Sequence, residues 1–198
     1  MYLYGTGGHA KVVIDILESN EIAISGLFDI KEDIHNFLDY QVHAAKDGVL
    51  SPLIIAIGDN KSRKKVAHDL LVDFGKAIHS TAIISDRASI GEGSVVMQGA
   101  IVQSCAQVGK HCIVNTGAVI DHDCKIEDFV HISPHTTLCG NVNVGEGSWI
   151  GAGATIIQGV KIGRWSVIGA GSVVVNDLPD NVLAYGNPCE IVKYLDVK

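Results

Sequence analysis

Four histidines, His111, His122, His131 and His135, lie within one 25-residue stretch. Taken singly, each reads as a solvated surface side chain. His122 differs because Asp121 and Asp123 flank it. A carboxylate beside an imidazole orients the ring and stabilises its protonated form, the arrangement of a general base. His131 and His135, four residues apart, are spaced like a metal pair. Strand geometry sends the two to different places, so no metal is expected. Near the start, Gly5-Thr6-Gly7-Gly8 precedes His9. A glycine turn that opens a helix offers backbone N–H groups and a helix dipole to a phosphate. It lacks the third glycine of a dinucleotide fingerprint, which argues against NAD. Asp29, Gly58-Asp59-Asn60 and Arg63 are further candidates to touch a ribose, a base edge, phosphates or a sugar. Each also has a plain reading as a turn or helix residue. Cys139 reads as a partly buried thiol and not as a nucleophile.

Two patterns position these residues. From Ile84 to Val174 every sixth residue is aliphatic, sixteen times in succession. The chain is 47% hydrophobic, so such a run has a random probability of roughly 6 in a million per phase. A period of six is the signature of a hexapeptide β-helix, with three short strands and eighteen residues per coil. The aliphatic anchor fills the interior. The position four residues on is small or β-branched and lets the chain turn the corner. Glycine follows the anchor at 91, 109, 145, 151, 163 and 169, where tight turns favour it. A solenoid needs capped ends. Residues 1–77 cover one end; Asn176 to Pro179 stop the repeat at the other, and Glu190 to Leu195 read as a short closing helix.

Residues 1–77 alternate strand and helix. Tyr2–Tyr4, Ile24–Asp29 and Leu53–Ile57 are the expected strands, with helices from His9 to Ser19 and from Asn60, as cap, to Leu71. This is a small Rossmann-like α/β domain with a parallel sheet. Residues 78–198 form the β-helix domain with its C-terminal cap.

Eighteen residues separate stacked positions, so sequence distance becomes spatial distance, about 4.7–4.9 Å per coil. His122 then neighbours Gly140, whose bare backbone leaves room for a substrate and one N–H. Asn115, Ser133, Gly151 and Gly169 form a second column, a side-chain-poor track for an extended ligand. All four clustered histidines are expected to point outward.

A net charge of −7 argues against a nucleic-acid partner. The longest apolar run is too short to cross a bilayer, and the N-terminus lacks a signal-peptide pattern. Five cysteines without CxxC spacing read as reduced thiols, hence a cytoplasmic setting.

The G-x-G-G-H-A-K-V start, the I-G-D-N-x-x-R loop, the N-T-G-A-x-x-x-H-D segment and the G-N-P tail together resemble one family. It is the left-handed β-helix sugar O-/N-acyltransferases, which include sialic acid O-acetyltransferases and N-acetyltransferases of nucleotide-linked amino sugars. The resemblance implies left-handed winding, a homotrimer with active sites between subunits, and acetyl-CoA as cosubstrate. It implies acetyl transfer to the amino group of a nucleotide-linked sugar of the 4-amino-4,6-dideoxy type. His122 matches the general base; Asp123 stands where some members carry Glu. Asn115 and Gly140 match active-site positions, with Gly140 N–H as oxyanion donor. His131, Gly140, Gly151, Ala152, Gly169, Ala170 and Gly186-Asn187-Pro188 fall to acetyl-CoA. Gly5, Thr6, Gly7, Gly8, His9, Asp29, Gly58, Asp59, Asn60 and Arg63 fall to the nucleotide sugar. Sugar O-acetylation, a zinc hydratase on the same prism and a non-catalytic assembly module are the alternatives.

Overall fold

The computed structural model describes residues 1–196. The N-terminal body is a five-stranded sheet in the order β3-β4-β2-β1-β5, built from β1 (Tyr2–Tyr4), β2 (Gly26–Asp29), β3 (Asn36–Phe37), β4 (Tyr40–Ala44) and β5 (Leu53–Ile55). All pairings are parallel except the β3–β4 hairpin. Sequence reading did not anticipate β3 and β4. Helix α1 (Gly8–Ser19) and helix α2 (Asn60–Asp69) complete this body. The cap of α2 is Asp59, not Asn60: its carboxylate accepts from Ser62 N at 2.8 Å.

Seventeen two-residue strands then wind a triangular prism from Ala77–Ile78 to Val173–Val174. The first face starts at Ala77–Ile78 and runs through Ile113–Val114, His131–Ile132 and Trp149–Ile150. The second runs from Ile83–Ile84 through Val119–Ile120 to Val173–Val174, and the third from Ser89–Ile90 to Lys161–Ile162. Within the prism, stacked strands pair in parallel at a spacing of eighteen residues, as Ile113 with His131 and His131 with Trp149. The second residue of each pair is the anchor, and these anchors form the continuous core. Each fully buried Ile or Val contributes about 1.5–3 kcal/mol.

The corners show why the small residues recur. At Ser94, Thr136 and Ser148 the hydroxyl donates to the carbonyl fifteen residues ahead, at 2.8, 3.0 and 2.6 Å. Cys112 and Cys124 donate their thiols in the same way. The position three after the anchor is left-handed fourteen times in succession, from Gly93 to Gly171, including His111, Asp123, Phe129, His135 and Trp165. The glycines directly after the anchor are a different case. None of them has a positive φ. A Cβ on Gly145 would lie 2.7 Å from Arg164 N, and one on Gly163 would lie 2.3 Å from Asp180 N. Close stacking of coils, not turn conformation, requires glycine there.

Helix α1 packs Ala10, Val13, Ile14 and Leu17 in one cluster with Ala77, Val95, Met97 and Ile113 of the first face. At the far end the expected closing helix is instead a strand. Cys189–Tyr194 pairs antiparallel with Val182–Gly186 and extends the first face. Its β-branched Ile191 and Val192 suit a strand, and Gly186-Asn187-Pro188 is the hairpin tip. Among the described residues, no helix is long and apolar enough to cross a membrane.

The two glycine classes should separate in a thermal melt. Gly145→Ala forces overlap with the next coil and should cost about 1–3 kcal/mol. Gly159→Ala has open space around it but φ +75, and should cost only the left-handed strain, about 1 kcal/mol. Equal melting temperatures would contradict the stacking account.

Candidate active site

The corner between the second and third faces carries His122. Its ring is exposed, and Nδ1 lies 2.8 Å from Asp123 Oδ2. The left-handed backbone of Asp123, φ 60, holds the two side chains together. Asp121 Oδ1 accepts from His122 N at 2.7 Å. The hydrogen bond to Asp123, then the charge of Asp121, raise the imidazole pKa above its ordinary value. The ring lies over Gly140: a Cβ there would sit 2.6 Å from both His122 Cε1 and Nε2. The eighteen-residue spacing thus brings imidazole and bare backbone together. Gly140 N–H makes no hydrogen bond among the described residues.

The corner between the first and second faces stacks Asn115, Ser133, Gly151 and Gly169, whose N–H groups bond the coil above at Ile132, Ile150, Ile168 and Ala184. The open strip lies elsewhere than expected. A Cβ on Gly151 would meet Ala170 N at 2.6 Å, and one on Gly169 would meet Tyr185 Cβ at 2.6 Å. The side-chain-poor crest is Ala152 and Ala170, both exposed, with Gly153 and Gly171, around which space is open. Gly186, Asn187 and Pro188 are exposed at the hairpin tip.

His131 and His111 do not point to solvent; both are buried. The N-terminal body covers the first face up to His131, and the corner holding His111 packs beside it. His131 Nε2 lies 3.1 Å from Asn115 Nδ2, and its ring stacks on Trp149 at 5.2 Å. Trp149 Nε1 donates to Ser133 Oγ at 2.7 Å. Sequence reading missed Trp149, although it stands eighteen residues after His131. His135 is exposed. Among the described residues, no three His, Cys, Asp or Glu side chains gather as metal ligands.

The N-terminal body holds a cavity of about 660 Å³ walled by Gly5, Thr6, Gly7, Gly8, His9, Asp29 and Gly58, with Lys31 and Lys65 at its side. Gly7 caps α1 without a side-chain bond, so the first-turn N–H groups face this space. Asp29 is partly committed: Oδ2 accepts from Thr6 N and Oγ1 at 2.9 and 2.7 Å, and Oδ1 accepts from Lys31 N at 2.9 Å. His9 Nε2 is buried without a partner. Asp59, Asn60 and Arg63 do not line the cavity. Asp59 caps α2, while Asn60 and Arg63 are buried between the two bodies. Arg63 reaches neither phosphate nor solvent, because all its donors are taken by protein oxygens.

His122 and this cavity lie on opposite sides of the prism, since its corner is opposite the first face. The face beside His122 is unlike its neighbour. Outward positions of the second face are Ile83, Ile101, Val119, Thr137, Thr155 and Val173; those of the third are Ser89, Gln107, Lys125, Asn143 and Lys161. The first set is apolar or β-branched, the second polar.

Comparison with known proteins adds relatives to this geometry. The PglD N-terminal domain model matches residues 1–70, and the bacterial transferase hexapeptide (six repeats) model matches residues 141–176. The chain is similar to a mutant perosamine N-acetyltransferase from Caulobacter crescentus solved with CoA and GDP-perosamine. The identity is 39% and the TM-score 0.91, covering 97% of this chain and 96% of that one. It is also similar to the acetyltransferase domain of PglB from Neisseria gonorrhoeae, solved with acetyl coenzyme A. There the identity is 34% and the TM-score 0.87, covering 96% of this chain and 98% of that one. Among curated relatives, UDP-N-acetylbacillosamine N-acetyltransferase of Bacillus subtilis is 39% identical over 114 residues, 48% of this chain and 50% of that protein. An uncharacterized protein of Acanthamoeba polyphaga mimivirus is 33% identical over 101 residues, 48% of this chain and 21% of that protein. The chain thus spans half or less of the curated relatives it matches.

Burial, with the Arg63 charge second, pushes His9 and His111 down to about 4 and His131 to about 3. The unfolded value is about 6.5. Unfolded chain therefore binds more protons below that pH, and stability falls with acidity. The stabilisation should be whole above about pH 6.5 and be lost as pH drops towards 4. Melting temperature should fall across this window, ahead of carboxylate protonation. His111→Phe, which keeps a ring between Phe74 and Phe129, should flatten the slope; an unchanged slope would refute the assignment.

Proposed function

We propose that this chain, which belongs to the family of left-handed β-helix sugar O-/N-acyltransferases, moves an acetyl group from acetyl-CoA to the amino group of a nucleotide-linked amino sugar of the 4-amino-4,6-dideoxy type. The observation that carries the reading is the His122 ring, oriented by Asp123 and set against the backbone of Gly140, whose N–H makes no hydrogen bond among the described residues. His122 accepts the proton of the attacking amine as the nitrogen bonds to the thioester carbon. The Gly140 N–H donates to the resulting oxyanion; donors in such positions are worth about 2.7–4 kcal/mol. The protonated imidazole then returns the proton as the C–S bond breaks and the thiol leaves. No acyl-enzyme is required. The relatives whose names state an acceptor act on amino sugars, which favours the amine over a hydroxyl.

Residues 1–77 hold the acceptor: the α1 N-terminus and Gly5–Gly8 take the diphosphate, with Asp29 and His9 beside it. Residues 78–198 hold acetyl-CoA along the crest of Ala152 and Ala170, reaching Asn115, His131 and the hairpin tip. One chain separates the acceptor cavity from His122, so the working form is a homotrimer closed by the apolar second faces. Three prisms meeting on that face set the His122 corner of one against the Asn115 corner of the next. Five free thiols among the described residues, together with these two substrates, support a cytoplasmic setting.

Thiol release from acetyl-CoA against UDP-, GDP-, dTDP- and CMP-linked sugars, each with a free amine or a hydroxyl, tests the reaction. His122→Ala should leave the trimer intact and lower kcat at least a hundredfold, roughly the effect of losing positioned proton transfer. Activity requires neutral His122 and should fall as pH drops through its raised pKa. Asp123→Asn removes the main cause of that rise and should move the acidic limb to lower pH. A limb that stays in place would exclude His122 as the titrating base. Val119→Asp on the second face should yield monomers on a sizing column and abolish turnover.

A further inference from the structure

Arg63 is the least expected buried group in the molecule, 1% exposed in a helix of mostly polar sequence. Its five N–H donors all find oxygen. Nε donates to His111 O at 2.8 Å. Nη1 donates to Ile57 O and Gly58 O at 2.9 and 3.0 Å. Nη2 donates to Asn60 Oδ1 and Phe129 O at 2.7 and 3.0 Å. Asn60 Nδ2 continues the line to Gly147 O and Ser148 O at 3.0 and 3.2 Å. His111, Phe129 and Gly147 stand eighteen residues apart, in one left-handed column. The pair therefore grips three successive coils with one hand and the Ile57–Gly58 loop with the other.

That loop walls the acceptor cavity. The bodies are otherwise joined by the apolar packing of α1, which is cohesive but non-directional, and by single contacts at the rim, the Lys64–Glu146 ion pair and the bond from Asn20 Nδ2 to Ile78 O. Among the described residues, no carboxylate forms an ion pair with Arg63. A charge buried against carbonyl dipoles alone is costly to desolvate, so cohesion is a poor reason to place it there. What it supplies is direction: five bonds of fixed geometry on a rigid planar fork.

We propose that Arg63, assisted by Asn60, is a positioning residue for acetyl transfer, registering the acceptor cavity against the prism that carries the catalytic seam. This rests on the reading of function above. The cavity's walls come from the strand ends, the Gly5–Gly8 turn and the side of α2 that carries Ser62, Lys65 and Val66, all within the N-terminal body, so nucleotide binding is set there. The placement of the acceptor amine is set by the grip between bodies. A displacement of about 1 Å at a reacting centre costs about 10²-fold in rate.

Arg63→Met, Arg63→Lys and Asn60→Ser are compared with wild type. The readouts are trimer mass, kcat, KM for each substrate, and calorimetric Kd for UDP, GDP, dTDP and CMP without sugar. In folded trimers, Arg63→Met should lower kcat about 10²-fold. Arg63→Lys and Asn60→Ser should fall between it and wild type. The Kd of the nucleotide that wild type binds, and KM for acetyl-CoA, should stay within about threefold, and the calorimetric stoichiometry should match wild type; loss of folded protein would instead lower the stoichiometry in step with kcat. If Arg63→Met does not assemble, the two milder variants carry the comparison. Wild-type kcat in the variants, or nucleotide affinity falling in step with kcat, overturns the proposal. A wild-type protein that binds nucleotide but acetylates no amino sugar instead removes the functional reading beneath it.

Discussion

The backbone ladder between coils is the constraint on which the rest of the structure depends. Strands stack at a spacing of eighteen residues with no slip from Ala77 to Val174; only the closing pairings beyond it shorten to sixteen. An inserted residue anywhere would turn an aliphatic anchor outward and move all later corners out of column. The ladder thereby decides where glycine is obligatory, because coils stack too closely for a Cβ at Gly145 or Gly163. It also sets a histidine ring against the backbone of Gly140 without any side chain having to reach for it.

Two kinds of imidazole result. His122 sits in water between carboxylates, and its proton affinity rises. His9, His111 and His131 sit in the joint between the bodies, where burial, then the Arg63 charge, lowers theirs. The first kind holds a proton more readily than a free imidazole; the second stays neutral and supplies fixed shape. The left-handed corner position takes part in both. It brings Asp123 beside His122 at one corner and lays His111 flat on Phe129, 5.1 Å between centroids, at another.

Much of this was legible in the sequence, and the limits have physical causes. Period six specified the prism because each anchor answers to a core that repeats. The pairing of His122 with Gly140 followed from the same period. Burial of His131 and His111 was not legible, because it depends on docking of a separate body onto one face, and no periodicity within the solenoid records it. Arg63, read as a phosphate or sugar contact or else a solvated helix residue, was misread for the same reason: its acceptors are oxygens up to 66 residues away. The strand Cys189–Tyr194 was taken for a helix because six residues are too few for either period to declare itself. The glycines after the anchors were found, but for the wrong reason, since conformation and close approach favour the same residue.

A triangular cross-section makes the partition of the site a matter of geometry. Each corner of a triangle faces the side it does not touch. The N-terminal body occupies the first side, so the His122 corner is the one it cannot reach within a single chain. The Asn115 corner and the His122 corner are instead the two edges of the second face, the one whose outward residues are apolar or β-branched. Apposing copies through that face brings unlike edges together, each completing what the other lacks. On the proposed reading, acceptor, thioester and base meet in one place only with a second copy. On that same reading, this face, only partly covered on one chain, is the one whose burial assembles the chemistry.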